Sequence, residues 1–573
     1  MPAEIAETTL LKFSYPLTFF FLLACTGEVP ESDSAGSWNP CGGTGDFEVS
    51  VGTVQPIRGH YVTRWFGVPE EEIKVRPPQI LGDTRDALRV STPSRFSTAL
   101  PVNSGKVQFR TAIRRLPSPK SSFPAFENQK IHCEIFVREG DFLSSVAMLE
   151  LPPPRSVMDQ AWHPLELSLS ANQAKSLEMV TRWQNPALAA QAGPSVEWAN
   201  PRIFPIAPKP KPDVVLITVD TLRDDAVEFM PKIQKSFENG EWWTNAISPS
   251  SWTLPSYASL FTGLEVAEHG VGRGPFPEVP GKPSLREFYG LKQDLPTLAE
   301  RFREAGYATC MIHQNPFLEP WTGLDRGFER YARVQEAPQT AVQQARNWWS
   351  QNPERPRFLV LHLIAPHLPY TPVDSESNPL DELAWKDFFS LDHTPEERKK
   401  FFQLSESKRK ILVRQYQNGV SAMDAQLEDF LKLLQNESKL VLAFHADHGE
   451  ELWDNGSFEH GHSFDDSVIR VPLAIWETGM TSRKEHSGFV AAHWLGATLL
   501  KRSGILEDWS PDLTSKHSFR SQGSLYRSLH GGREFHPASG KDRWLNLEET
   551  TSSSGRQASL PPELAAALSA LGY

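Results

Sequence analysis

Residues 214–220 read Val214-Val215-Leu216-Ile217-Thr218-Val219-Asp220, six residues without a charge followed by an acid. A strand that is apolar on both pleat faces has to be covered on both sides, which is the habit of parallel sheets flanked by helices. Three more runs share this texture: Thr309–Ile312, Phe358–Ile364 and Leu440–Ala446. Between them, apolar residues recur three and four apart. Leu298 with Phe302, closed by Gly306, predicts one helix, and Tyr416, Val420, Met423, Leu427, Phe430 and Leu434 predict another. Alternation of such strands and helices predicts an α/β fold with a mostly parallel sheet, whose chemistry belongs at the carboxyl ends of the strands.

Upstream of this region, Pro205-Ile206-Ala207-Pro208-Lys209-Pro210-Lys211-Pro212 removes backbone donors and fixes φ repeatedly, so residues 205–212 read as a stiff linker. Residues 48–204 alternate with a period of two, as in Val107, Phe109, Thr111 and Ile113, and short runs of this kind separated by Pro/Ser turns predict a β-sandwich. The stretch from Trp162 to Leu169, with Trp198 to Ile203 downstream, resembles the jelly-roll, carbohydrate-binding-like modules attached to secreted hydrolases. Tryptophan in a sandwich is more often core than sugar platform, which favours a structural accessory role over glycan binding.

The apolar run Leu17–Ala24 is far shorter than the roughly 20 residues that span a bilayer and fits the apolar region of a signal peptide. It ends in Leu22-Leu23-Ala24-Cys25, which resembles a bacterial lipobox and predicts a lipid on Cys25. Residues 1–25 are therefore expected to be a leader, and 26–47, rich in Gly, Ser, Pro and acid, a flexible tether. The expected location is the cell envelope, periplasm or cell surface, with membrane attachment only through Cys25.

Composition narrows the function. The chain has 573 residues, with 58 Lys and Arg against 70 Asp and Glu, a formal charge of −12 that argues against nucleic acid as a partner. Its four cysteines include no Cys-x-x-Cys pair, so neither a disulfide scaffold nor structural zinc is expected. Acids and imidazoles instead gather at strand ends: Asp220 after the first run, Asp447-His448-Gly449-Glu450-Glu451 after the last, and Pro366 and His367 after a third. Hard oxygens mixed with imidazole suit a divalent metal.

Several motifs fall in one order along residues 213–480. They are Val215 to Arg223, then Ser251-Trp252-Thr253-Leu254-Pro255-Ser256-Tyr257 leading to Leu260-Phe261-Thr262-Gly263-Leu264, then Gly323 to Phe328 and Ala365 to Tyr370. Asp447-His448-Gly449, His460-Gly461-His462 and Arg470-Val471-Pro472-Leu473 complete the set. In this the chain resembles the sulfatase family of the alkaline phosphatase superfamily, and residues 481–573 are similar to that family's smaller C-terminal α+β subdomain. The resemblance implies a hydrolase of sulfate or phosphate esters with Thr253 as nucleophile and a metal held by Asp220, Thr253, Asp447 and His448. It implies His367 against the non-bridging oxygens and His460 near the leaving group, with His462 a weaker candidate for that place. Asp225, Asp465 and Asp466 are expected to be caps or surface charge.

The departure from the family matters as much as the match. Sulfatases proper carry Cys or Ser at the nucleophile position, converted to formylglycine, and an Arg two residues after the Pro; here these positions hold Thr253 and Tyr257. Formylglycine cannot form from Thr, and a plain hydroxyl resembles instead the phosphodiesterases and the phosphoglycerol or phosphoethanolamine transferases of the superfamily. A phosphoester substrate, glycan or lipid-linked, is therefore favoured over a sulfate ester, and Tyr257 in place of Arg is expected to make the anion pocket less positive and to suit a diester. Asp, Asp, His and a Thr oxygen favour one Zn or Mn ion, with Ca the less fitting choice. Two alternatives stand beside this reading: a phosphoryl transferase to an alcohol acceptor, and an inactive metal-binding surface protein.

Overall fold

The computed structural model describes residues 47–51, 54–57, 83–84, 87–100, 106–116, 129–153, 162–170, 176–188, 193–205, 211–273, 288–292, 294–334, 338–352, 355–370, 379, 403–454, 456, 458–461, 464–505, 511–514, 533–536, 541–544 and 556–558. The expected leader with Cys25, residues 26–46 of the expected tether, and His462 lie outside the described residues.

Period-2 patterning in the first third of the chain builds two antiparallel sheets. One holds, in spatial order, Phe47–Val51, Ser94–Ala99, Ser176–Trp183, Ile131–Glu139 and Phe142–Leu151; the other holds Val54–Ile57, Ala87–Thr92, Gly193–Pro205, Lys106–Arg115 and His163–Ser170. Their inward residues, among them Phe96, Phe109, Ile135, Met179 and Trp198, form one core, with Phe96 meeting Trp198 edge to face at 5.8 Å between centroids. This is the expected sandwich. Trp183 and Trp198 are spent inside it, and Trp198 gives its indole N–H to Thr181 Oγ1 at 3.2 Å.

The remainder is an α/β unit around a sheet of nine described strands. Across the sheet these run Lys484–His486, Glu241–Trp243, Leu473–Glu477, Leu440–Ala446, Asp213–Val219, Arg357–Leu363, Ala308–His313, Arg330–Arg333 and Asp83–Thr84. The five strands from Leu440–Ala446 to Arg330–Arg333 are mutually parallel. Every residue of Asp213–Val219, Arg357–Leu363 and Leu440–Ala446 is buried, which is why their sequences read as unbroken apolar runs. The helix Glu406–Gln435 buries Tyr416, Val420, Met423, Leu427, Phe430 and Leu434, the stripe expected from its spacing. Leu298–Glu304 starts from a capping box between Thr297 and Glu300. Beyond residue 480, the strand Lys484–His486 extends the large sheet, and Leu495, Leu499 and Leu500 of the helix Leu495–Arg502 join its core.

The sandwich and the α/β unit meet at one sheet edge. Asp83–Thr84, from the sandwich half of the chain, pairs antiparallel with Arg330–Arg333, and Arg110 donates to Asn352 Oδ1 at 3.0 Å. That edge lies two strands from Arg357–Leu363, so the carboxyl end of the central strand is left to the α/β unit's own loops.

Candidate active site

The central strand ends in a kink. Thr221 follows Asp220 with φ of 54°, a left-handed conformation that costs a residue with a Cβ about 1–2 kcal/mol. Tyr416, from the long helix, holds this turn: its hydroxyl donates to the Thr221 carbonyl at 2.8 Å and accepts the Arg223 N–H at 3.0 Å. Asp220 is thereby fixed at the strand end, with no solvent exposure.

Asp447 and His448 leave the neighbouring strand Leu440–Ala446, in register beside Asp213–Val219. The glycine after them is forced by close approach, since a Cβ on Gly449 would stand 2.1 Å from the Ser467 carbonyl oxygen. His448 Nδ1 lies 2.9 Å from the Gly449 carbonyl oxygen. A carbonyl only accepts, so Nδ1 carries the proton and Nε2 keeps its lone pair. That lone pair faces Asp220 Oδ1 at 3.4 Å and Thr253 Oγ1 at 3.4 Å. Burial lowers His448 to about 4, which leaves the imidazole neutral, as a metal ligand must be.

Thr253 opens the helix Thr253–Thr262, and Trp252 before it makes no side-chain cap, so first-turn N–H groups face the same space. The Thr253 hydroxyl is buried, accepts from Asn315 Nδ2 at 3.1 Å and hydrogen-bonds the Asp447 carboxyl. His367 and His460 stand on the other side. The His460 ring lies 4.4 Å from that of His448 and 5.1 Å from that of His367, centroid to centroid. His367 Nδ1 is tied to the Leu368 carbonyl oxygen at 2.5 Å, whereas His460 Nδ1 meets a carboxylate, Glu450 Oε1, at 2.9 Å. The sequence-derived set of Asp220, Thr253, His367, Asp447, His448 and His460 is thus gathered in one buried cluster.

Charge in the cluster is out of balance. Burial raises Asp220, but His362, with Nε2 3.4 Å away, and the imidazoles of His367 and His448 outweigh it and hold this carboxyl below the usual range. Burial, and then the charge of Asp220, push Asp447 well above its usual range. Asp220 Oδ1 and Asp447 Oδ2 are both buried without a hydrogen-bond partner. One ligand atom from each of Asp220, Asp447 and His448 can be chosen so that all lie within 4.8 Å of one another. Two orphaned carboxylate oxygens beside a neutral imidazole lone pair fit a divalent cation.

Three residues at this site carried no role in the sequence reading. Asn315 caps the short turn Pro316–Leu318, accepting from the Phe317 N–H at 2.8 Å, which aims its Nδ2 at both Asp220 Oδ2, 2.6 Å away, and Thr253. It follows the strand Ala308–His313, so the strand-end rule that selects Asp220 reaches it too, although Asn-Pro reads first as a turn. Glu450 takes the Tyr370 hydroxyl at 3.3 Å as well as His460, and burial followed by Glu459 pushes it well above the usual carboxylate range. His362 stands behind Asp220, with Nε2 3.4 Å from Oδ2.

A buried acid–imidazole cluster at the carboxyl end of a parallel sheet, with a hydroxyl on an uncapped helix terminus, defines a metal-dependent α/β hydrolase. The family model described as Sulfatase matches residues 212–505, just over half of the chain, and the chain belongs to the sulfatase family, hydrolases of sulfate or phosphate esters that use a divalent metal. No curated protein matches it. Similar solved structures include a 2-O GAG sulfatase, with 18% identity over 56% of this chain and 77% of that one and a TM-score of 0.42. Another is a protein in complex with its substrate D-glucosamine-2-N,6-O-disulfate, at 16% identity over 54% and 80% with a TM-score of 0.40. The phosphonate monoester hydrolase of Agrobacterium radiobacter is a third, at 17% over 53% and 76% with a TM-score of 0.39.

Proposed function

We propose that this sulfatase-family chain hydrolyses phosphoesters in preference to sulfate esters, with Thr253 as the nucleophile. The observation that carries the reading is a plain threonine hydroxyl, not a residue convertible to formylglycine, placed between Asn315 Nδ2 at 3.1 Å and His448 Nε2 at 3.4 Å. Asp220, Asp447, His448 and the Thr253 oxygen would hold one ion, with Zn or Mn favoured by the ligand types. When bound, such an ion supplies Lewis-acid charge to the nucleophile and to the ester.

Thr253 Oγ1 passes its proton to the Asp447 carboxylate and attacks phosphorus in line, its bond to phosphorus forming as the bond to the leaving oxygen breaks, and the same proton returns to Oγ1 when water displaces it. The first-turn amides of the Thr253–Thr262 helix take the charge growing on the non-bridging oxygens and His367 flanks them, while the two N–H groups of Asn315 hold Asp220 and Thr253 in place. His460 gives its proton to the leaving oxygen, its ring held in orientation by Glu450 Oε1 at 2.9 Å from Nδ1. Water then displaces Thr253 from phosphorus with His460 as base, returning the free hydroxyl and inorganic phosphate, or a phosphate monoester from a diester. The Tyr257 hydroxyl contributes no charge to this space, because it is engaged by Thr218 and His362. A singly charged diester suits that arrangement.

The test is hydrolysis of matched p-nitrophenyl sulfate, phosphate and phosphodiester substrates by metal-replete protein. Phosphoester turnover should dominate, and Thr253→Ala should lower it by at least about 10³-fold. Dominant, Thr253-dependent sulfate release would overturn the phosphoester preference, and turnover that survives Thr253→Ala would overturn the nucleophile. Export, with a lipid on Cys25, belongs to the same proposal on the strength of Leu17–Ala24 and the residues that follow. It fails if Cys25→Ala leaves the protein's membrane association unchanged.

A further inference from the structure

The turn that presents Asp220 and the loop that presents His460 are joined by one side chain. Thr221 turns the chain sharply after Asp220, and the Tyr416 hydroxyl takes the Arg223 N–H at 3.0 Å, so the Arg223 side chain leaves a fixed point of backbone. Its guanidinium engages all five donors. Nε and Nη2 reach the two oxygens of Asp225, on the same turn, at 2.8 and 2.7 Å. Nη2 and Nη1 reach the two oxygens of Asp454 at 2.9 and 2.6 Å, and the second Nη1 proton goes to the Glu450 carbonyl oxygen at 3.0 Å. No donor is left over for a substrate oxygen, and the side chain is 11% exposed. Asp225, expected from the sequence to be a cap or surface charge, is one side of a two-sided clasp.

The other side of the clasp is the hairpin that carries His460. Glu451–Leu452 pairs antiparallel with Phe458–Glu459, and Trp453 stacks on Phe458 with ring centroids 4.3 Å apart. Glu450 enters the first strand and His460 leaves the second, so the two meet at the open end, Nδ1 to Oε1 at 2.9 Å. Trp453 and Glu459 are held at φ of 68° and 76°, left-handed conformations that a residue with a Cβ keeps only when its surroundings impose them. Arg223 grips this hairpin twice, at its base through the Glu450 carbonyl and at its turn through Asp454, whose Oδ2 also accepts the Leu452 N–H at 3.0 Å. Two grips by one planar guanidinium fix the hairpin's tilt as well as its distance, which a single ammonium would not do. Beyond His460, the Gly461 N–H is tied to the Ser251 carbonyl oxygen at 2.9 Å, close before Thr253 in the chain. His460 is therefore pinned on one side to the nucleophile's loop and on the other, through the hairpin, to the turn after Asp220. We infer that Arg223 is a positioning residue for His460, setting the reach from the Asp220 turn to the leaving oxygen without touching substrate. The inference rests on the proposed role of His460 as the leaving-group acid.

The experiment compares methyl p-nitrophenyl phosphate with methyl phenyl phosphate on metal-replete, full-length protein. Nitrophenolate leaves with little help and phenolate needs a proton, so a displaced acid costs the second substrate more. His460→Ala is the reference, and should lower kcat/KM on the phenyl diester by about 10²-fold or more and on the nitrophenyl diester by far less. Arg223→Met and Asp454→Asn should each show the same selectivity, about 10-fold on the phenyl diester and under about 3-fold on the nitrophenyl one, and the double variant should lose no more than Arg223→Met alone. Asp225→Asn breaks the half of the clasp that does not reach the hairpin, and should leave both substrates near wild type. Hydrogen exchange of the hairpin amides, read in metal-free protein, should quicken in Arg223→Met and Asp454→Asn and not in Asp225→Asn. If Arg223→Met does not fold, Asp454→Asn decides, because it keeps an oxygen for the Leu452 N–H. Equal losses on the two substrates in Asp454→Asn, a wild-type ratio there, or the same loss in Asp225→Asn would each overturn the inference while leaving His460 its role. A His460→Ala indifferent to the leaving group, or a wild type that turns over neither diester, would overturn the reading of the site and this inference with it.

Discussion

The strand Asp213–Val219 and the residue after it bury an aspartate at each end, Asp213 at 2% exposure and Asp220 at 0%, and the two are furnished oppositely. Asp213 accepts the Arg357 backbone N–H at 2.8 Å and its guanidinium at 2.6 Å; the same guanidinium pairs with Glu437 at 2.7 Å and lies 3.7 Å over the Trp349 ring. Asp220 has an amide and imidazoles around it, and among the described residues no lysine or arginine pairs with it. The amino end of the strand is a closed ion pair. The carboxyl end is a pair of carboxylates kept one cation short, and that deficit marks function where burial alone marks stability.

Removing one charge at each end tests this contrast most severely. In metal-free protein, Asp213→Asn should cost about 3–5 kcal/mol, because it leaves a buried guanidinium short of a partner. Asp220→Asn should cost less, because among the described residues no lysine or arginine pairs with Asp220 and its loss leaves no buried guanidinium without a partner. Urea unfolding in the presence of EDTA measures both, and equal losses would break the comparison.

Adding the ion should then act only at the carboxyl end. Mn²⁺ or Zn²⁺ at about 100 times its Kd should stabilise wild type by about 2.7 kcal/mol. The same increment should appear in Asp213→Asn and vanish in Asp447→Asn, read from thermal melts.

A smaller effect separates the cluster from other buried imidazoles. Burial, before any neighbouring charge, lowers His269 and His493 to about 3 and His445 to about 4. These rings fold neutral, whereas the unfolded chain takes up their protons below its ordinary value near 6.5. Their contribution is therefore present above pH 6.5 and is lost as pH falls toward 3–4, at up to about 1.4 kcal/mol per pH unit for each ring. Glu265, raised to about 7 by burial and then Glu268, works in the opposite direction between its ordinary value and 7. His493→Gln should flatten the decline in urea midpoint between pH 6.5 and 5, and an unchanged slope would remove His493 from the account.

Much of this was legible in the sequence, because burial on both faces leaves a plain mark. The runs ending at Asp220 and before Asp447 gave the central strands, and the first polar residue after such a strand is where a parallel sheet does its chemistry. Thr253 needed its motif, since a threonine at a helix start otherwise reads as a cap. Asn315 was hidden behind a proline that made it look like a turn, and His362 lay inside an apolar run, where a histidine reads as core. Tyr257 was legible as a departure but not as a contact. Its reach to Thr218 and His362 depends on how a helix turn matches two strand residues across the packing, and no local pattern carries that information.

The short strand Asp83–Thr84 has a consequence of another kind. By pairing with Arg330–Arg333 it closes an edge that would otherwise offer its row of backbone donors and acceptors to any passing chain. The amino-terminal sandwich is thus a guard on the sheet as well as a neighbour of it. A chain cut at the linker would carry that edge open, and the damage would show first as self-association in solution rather than as slower turnover.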